Sequence, residues 1–388
     1  MSFGFANDFS MDHTLRGMFG IVQAIVNRLI GPGRAHGRAV CTTRLQRSAL
    51  LAAALLVAIV GLRPAAADPV RDFYAGKQVT IIVGSGAGGG YDLQARLTAR
   101  HLGKHVPGNP TFIVQNMPGA GSLQAANYIY NSAPADGTTI ALLQRGMLLI
   151  KLINPSGVRF EIDKLHWIGS LNSEVGVVLS WHTTEHKTTR DLFDKELIVG
   201  GIVGVDPETT PRLLNALIGT RFKIVNGYNT TAQIALAIER NEVQGIADWS
   251  WSSVKAVRPD WLRDRKAHIL MQVGLHKEPE LPDVPSALDF VKDAADRKVM
   301  ELNFTQKTAA RPLVAPPGVP AERVAALRAA FAALATDAEF LADAERSKLE
   351  IAPLPAEAVD KVIALIASTP PEIADHYAKV LSPAARTR

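Results

Sequence analysis

A β-branched run, Val79-Thr80-Ile81-Ile82-Val83, stands directly before Gly84-Ser85-Gly86-Ala87-Gly88-Gly89-Gly90, and residues 91–101 then carry Leu93, Leu97 and His101 at helical spacing. That order constrains the chain more than any other feature. A strand that ends in a glycine turn and opens a helix is the unit of layered α/β folds, in which helices cover a mostly parallel sheet. The unit recurs. Residues 112–114 read as a strand, Asn116-Met117-Pro118-Gly119-Ala120-Gly121 as its turn, and 123–132 as a helix after Ser122. A strand and turn over 197–204 leads through Asp206-Pro207-Glu208-Thr209-Thr210 to a helix expected at 211–218, with Pro211 in its first turn. Residues 223–225 lead to Gly227-Tyr228-Asn229-Thr230-Thr231 and a helix over 232–240. Further strands are expected at 138–143, 167–171 and 175–181, and alanine-rich helices at 321–335, 338–348 and 356–367. Two separate regions thus each present two loops that open into helix N-termini. At 388 residues, 47% hydrophobic and 20% charged, the chain exceeds what one core fills, so two domains are expected.

A helix N-terminus offers unpaired N–H donors and a positive dipole end, and glycine lets an anion approach the backbone. The candidate ligand-binding residues are therefore Ser85, Gly86, Ala87, Gly88, Gly89, Gly90 and Tyr91, with Gly119, Ala120, Gly121 and Ser122 from the first region. Gly204, Asp206, Thr209, Thr210, Tyr228, Asn229 and Thr230 come from the second, with Asp248 and Trp249 of the cluster Asp248-Trp249-Ser250-Trp251-Ser252-Ser253 as a cleft wall. Period-two alternation would put either 248 and 250, or 249 and 251, on the cleft side. Asp92 reads as a brace for the first loop rather than a ligand group, because a free carboxylate beside an anion is repulsive.

Other chemistries fail on context. Gly84-x-Gly86-x-x-Gly89 matches the dinucleotide fingerprint, but the second strand ends in Gln115-Asn116 where an acidic ribose ligand is needed. His182-Thr183-Thr184-Glu185-His186 matches a zinc pattern, yet its flanks lack the apolar stripe of a buried helix, so a solvated loop is expected. No G-x-S-x-G elbow occurs, and the single cysteine, Cys41, can form neither an internal disulfide nor a cysteine cluster. No catalytic residue, metal or cofactor is expected.

Residues 48–62 form an apolar run after Arg44 and Arg47 and before Pro64-Ala65-Ala66-Ala67-Asp68. This is the layout of a secretory signal peptide, cleaved near Ala67. About 15 residues fall short of the roughly 20 that span a bilayer. Residues 1–67 hold seven of the 42 basic side chains and two of the 37 acidic ones, so residues 68–388 balance at 35 of each. The net charge of +5 thus belongs to the leader, and nucleic-acid binding loses its support.

The run at 79–83 with Ala87-Gly88-Gly89-Gly90-Tyr91-Asp92 and Ala95-Arg96, then Val114 to Ser122, Asp136-Gly137-Thr138, Leu281-Pro282-Asp283-Val284-Pro285 and Ala315-Pro316-Pro317-Gly318-Val319-Pro320, resembles the tripartite tricarboxylate transporter solute-binding (Bug/TctC) family. The likeness spans essentially all of 68–388. It implies an α/β, two-domain periplasmic binding protein of type II-like, Venus-flytrap form, monomeric and not an enzyme. Such a protein captures a small carboxylate and delivers it to a membrane permease. The implied division is 1–67 as extension and signal peptide, 68–171 with 306–388 as domain 1, and 172–305 as domain 2. An enzyme acting in the same cleft and a sensor docking to a receptor are the alternatives. The family's proline in the first loop and its proline-tyrosine-lysine-glycine run are absent here, where Ser85-Gly86 and Asn226-Gly227-Tyr228-Asn229 stand. Asp206 and Glu208 would repel a second carboxylate, favouring a ligand with one carboxylate and an apolar, amide or ammonium remainder over citrate; alternatively, both face solvent and offset the helix dipole.

Overall fold

The computed structural model describes residues 68–382. The expected signal sequence and its cleavage site lie outside the described residues. In chain order the strands are β1 (Gln78–Val83), β2 (Thr111–Asn116), β3 (Thr139–Leu142), β4 (His166–Ser170), β5 (Gly176–Trp181), β6 (Leu197–Gly201), β7 (Phe222–Asn226), β8 (Gly245–Ser250), β9 (Ala267–Val273), β10 (Pro312–Ala315) and β11 (Leu354–Pro355). They form two sheets, ordered β11-β4-β10-β3-β1-β2 and β7-β6-β8-β5-β9. The first draws strands from both ends of the described chain and the second from its middle, so the chain crosses between lobes twice: after β4, and between the helix Ala294–Thr305 and β10.

Both sheets are mixed, which corrects the expectation of a mostly parallel sheet. β1 runs parallel to β2 and β3, but β10 returns from the second lobe antiparallel to β3 and β4. In the second sheet β6 is parallel to β7 and β8, while β5 is antiparallel to β8 and β9. Strands that enter a sheet from the other lobe need no βα crossover on the same face, so nothing obliges them to run parallel.

Each sheet is buried on both faces. Val79, Ile81 and Val83 of β1 join one core with Leu97, Leu327 and Phe331, whereas Ile82 faces another with Leu123, Trp167 and Tyr377. This is why the strand reads as an unbroken apolar run rather than an alternating one. In the second lobe, Val177, Leu179 and Ile246 pack with Ile234 and Trp261 on one side, and Val178, Val199 and Met271 with Leu214 and Phe304 on the other.

The helix Ala338–Arg346 docks on Gly90–Leu102 through charge as well as Phe340. Asp343 accepts from His101 Nε2 and Arg100 Nη2, both at 2.9 Å, and Asp337 pairs with Lys104 and His105 at 2.7 and 2.6 Å. Hydrogen bonds from His101 and Arg100 draw the Asp343 carboxyl down to about 2, and those from Lys104 lower Asp337 further. Depressed carboxylates contribute stability above their unfolded pKa and lose it as pH falls through the folded one. Urea stability is therefore expected to fall by roughly 0.5–1 kcal/mol, the scale of solvated pairs, between about pH 4 and pH 2 as Asp343 protonates, and Asp343→Asn should flatten that stretch of the profile.

Candidate functional site

The loop after β1 is held by Asp92, which is almost fully buried. Its Oδ2 accepts from the Gly88 N–H at 2.9 Å and from Arg96 Nε at 3.0 Å, and its Oδ1 from Asn116 Nδ2 at 2.9 Å. Burial alone would raise this carboxyl, but the hydrogen bonds from Arg96, Gly88 and Asn116 outweigh it and hold the group below its ordinary value. Asp92 thus fixes the loop, and no side chain among the described residues caps the helix Gly90–Leu102 that follows. The same holds for the helix Asp206–Ile218 of the other lobe, entered from Val205 in extended conformation. That helix starts five residues before the position expected from Pro211. Pro207 takes the first turn, and Pro211 lies inside the helix.

The two N-termini line one narrow cleft between the lobes, about 50 Å³ in volume, with Gly89, Gly90 and Tyr91 on one side and Val205, Asp206 and Pro207 on the other. A third helix, Thr231–Glu239, contributes Thr230 and Thr231, although here the Thr230 hydroxyl already accepts from Gln233 N. The lobes touch at the rim: a Cβ on Gly86 would stand 2.7 Å from Thr230 Cγ2, and one on Gly90 2.1 Å from Ser253 Oγ.

Beneath the cleft lies a buried set of three cations and three carboxylates. Arg145, just past β3, donates from Nε to Asp206 Oδ2 at 2.5 Å and from Nη1 to Ser250 Oγ at 3.0 Å, joining the lobes. Gln306 Nε2 donates to the other Asp206 oxygen at 3.1 Å. Lys307 Nζ sits 2.6 and 2.7 Å from the two Asp248 oxygens, and the Thr210 hydroxyl donates to Asp248 Oδ2 at 2.6 Å. Arg311 Nη2 lies 3.2 Å from Glu174 Oε1 and 2.9 Å from Ser253 Oγ, with its guanidinium 4.1 Å above the Tyr91 ring. Burial pushes the Asp206 carboxyl up, but Arg145 and Lys307 outweigh it and keep it ionised below its ordinary value. Both sequence-level readings of the acids are corrected: Asp206 is neither bare nor solvent-facing, and Glu208 is buried with its Oε2 accepting from Gly204 N at 2.7 Å.

Asp248 has φ +72°, the left-handed region that side chains with a Cβ avoid, and the register between β5 and β8 shifts at Val177/Val178 opposite it. This bulge breaks the alternation expected along β8. Asp248, Trp249 and Ser250 all line the cleft as a result.

The cleft collects Ser85, Gly89, Gly90, Tyr91, Asp206, Thr230, Asp248 and Trp249 from the candidate set. Gly86, Ala87 and Gly88 form the rim loop outside it, and Thr210 lies behind Asp248. Gly119, Ala120 and Gly121 face Tyr228 and Asn229 across an adjoining crevice that shares Gln144 and Ile202 with the cleft. Ser122 is buried, its Oγ accepting from Gln144 N at 3.1 Å, while Gly204 and Thr209 line a groove on the outer side with Ala120. Arg145, Lys307 and Arg311 were not singled out from the sequence, nor were Gln144, Gln306 and Glu174. The zinc-like segment holds one surprise, since His186 is buried rather than solvated, with its carbonyl accepting from Ser180 Oγ at 2.6 Å.

Among known proteins, the structure of the periplasmic binding protein BugD superposes with a TM-score of 0.62 at 18% identity, covering 79% of this chain and 98% of that one. An R. palustris protein with adipate does so equally well, with a TM-score of 0.62 at 18% identity over 79% and 97%. The chain has the Bug/TctC solute-binding fold. A UPF0065 protein from the TAR-I ttuE-ttuC' intergenic region of Agrobacterium vitis is 29% identical over 163 residues, 40% of this chain. The match spans 46%, about half, of that relative's own length. No family model matches the sequence. In this Bug/TctC-type fold the two sheets are the two domains, and among the described residues no helix is long and apolar enough to cross a membrane.

Proposed function

We propose that this chain is a periplasmic solute-binding protein that takes a small carboxylate-bearing ligand between its lobes and delivers it to a membrane permease of the tripartite tricarboxylate type. The lobes are 68–171 with 306–388, and 172–305, hinged where the chain crosses between the sheets. One observation carries the reading: helices from both lobes, neither capped by a side chain, present their N-termini to one cleft. Arg311 adds to it, since its Nε–H is buried at the cleft without a partner among the described residues. The similar R. palustris protein holds adipate, a ligand of the same chemical class.

A thermal-shift panel of small mono-, di- and tricarboxylates tests this. A ligand at 100 times its Kd adds about 2.7 kcal/mol, so at least one acid should raise Tm by several degrees. If no acid moves Tm, the carboxylate reading fails; conversion of the bound acid to a product would favour an enzyme instead.

A further inference from the structure

Trp249 is 1% exposed and lines the cleft, and its indole Nε1–H has no hydrogen-bond partner among the described residues. Three other buried indoles do not share this condition. Trp167 donates to Ile162 O at 3.2 Å, Trp251 to Glu280 Oε2 at 2.7 Å, and Trp261 to Glu239 Oε1 at 3.0 Å. The Trp249 ring is held edge-on to Trp261, with centroids 6.0 Å apart and planes at 86°, and the strained Asp248 brings its backbone to the cleft wall. A buried donor left unpaired is costly and rare, so a rigid one at a binding cleft points to an acceptor that arrives with the ligand.

The character of that acceptor follows from charge. Arg145, Lys307 and Arg311 are already matched by Asp206, Asp248 and Glu174, so this part of the cleft holds no surplus positive charge for a second carboxylate. An indole N–H is a neutral donor, and Ser250 and Ser253, whose oxygens accept from Arg145 and Arg311, each keep a hydroxyl proton to give. Resting on the carboxylate-binding reading above, we infer that Trp249 is a specificity-determining residue whose indole N–H binds a neutral oxygen of the ligand. The preferred ligand class is thus short hydroxy-, oxo- or amide-bearing monocarboxylates.

Calorimetric titration with butyrate, succinate and the 2-, 3- and 4-hydroxybutyrates tests this on the wild type and on Trp249→Phe, which keeps an aromatic ring and removes the donor. The wild type should prefer at least one hydroxybutyrate to butyrate by about tenfold, the ratio that one neutral hydrogen bond of ordinary net strength gives, and Trp249→Phe should bring that ratio close to one. The indole resonance missing from the ¹H–¹⁵N spectrum of Trp249→Phe should shift in the wild type with the favoured hydroxybutyrate and not with butyrate, which reads the contact even if the variant folds poorly. A preference that survives in Trp249→Phe, or an indole resonance that does not respond, would overturn the role of Trp249. Succinate binding more tightly than every hydroxybutyrate would overturn the neutral acceptor while leaving the carboxylate reading intact. Silence from all five acids, together with a silent thermal-shift panel, would overturn both.

Discussion

Replacing Arg145 with methionine is expected to lower the free energy of unfolding by about 3–5 kcal/mol, the cost of leaving a buried carboxylate without its partner. Asp206 is 5% exposed, and its Oδ2 sits on the Arg145 guanidinium, with Lys307 Nζ farther away at 3.7 Å. Lys307 is committed to Asp248, so it compensates the orphaned charge only in part. Urea unfolding of the wild type, Arg145→Met and Arg145→Met/Asp206→Leu would show it, the double variant recovering most of the loss because both desolvated charges are gone. The pH dependence has a definite sign. In the wild type the depressed Asp206 carboxyl contributes stability above the ordinary carboxylate range and loses it as pH falls through the folded pKa. Without Arg145 that carboxyl rises, so the gap between variant and wild type should narrow as pH is lowered. A loss below about 1 kcal/mol, the value of a solvated pair, would mean that water reaches Asp206.

The same pair shows where sequence reading stops. β1 and its glycine loop are legible because everything that defines them is local: a β-branched run, then residues tolerant of unusual backbone, then helical spacing. Asp92 was legible as a brace for the same reason, since it acts on Gly88 and Asn116 within its own βαβ unit. Arg145, Lys307 and Arg311 have no such neighbourhood. Arg145 meets Asp206 and Ser250 at separations of 61 and 105 residues, and those contacts exist only once the two lobes face each other. A signal was nevertheless present, because Arg145 interrupts the apolar stretch from Ile140 to Ile150, and Arg311 stands between Ala309-Ala310 and Pro312-Leu313. A lone cation at the end of a buried strand needs a partner from elsewhere. β10 was missed because it has only four residues and begins with proline, and β9 because His268 and Gln272 blur its apolar pattern. The early start of Asp206–Ile218 was hidden by two prolines competing for one first-turn position.

Closure of the lobes should depend on Gly121 more than on any residue that faces the ligand. This glycine has φ +62°, between Ala120 at +44° and Ser122 at +84°, so the backbone of the loop curls tightly against the other lobe. A Cβ placed on it would lie 2.8 Å from Val205 Cγ1, 3.0 Å from the Val203 carbonyl oxygen and 3.1 Å from the Gly204 carbonyl carbon. Two of those three atoms are backbone and cannot step aside by changing rotamer. Gly121→Ala therefore acts as a wedge that the chain relieves by separating the lobes, at a cost of about 1–3 kcal/mol charged against the closed arrangement, or roughly 5- to 150-fold in ligand affinity. The left-handed backbone adds about 1–2 kcal/mol in any arrangement. Gly219→Ala separates the two costs, because Gly219 has φ +78° with nothing within 4 Å of its Cβ position. Small-angle scattering with a carboxylate identified by thermal shift should show a smaller radius on binding for the wild type and Gly219→Ala, and little contraction for Gly121→Ala. If Gly121→Ala binds and contracts as the wild type does, the contact between its loop and Val203–Val205 is not part of the closed clamp, and the idea that the lobes seat on this glycine is wrong.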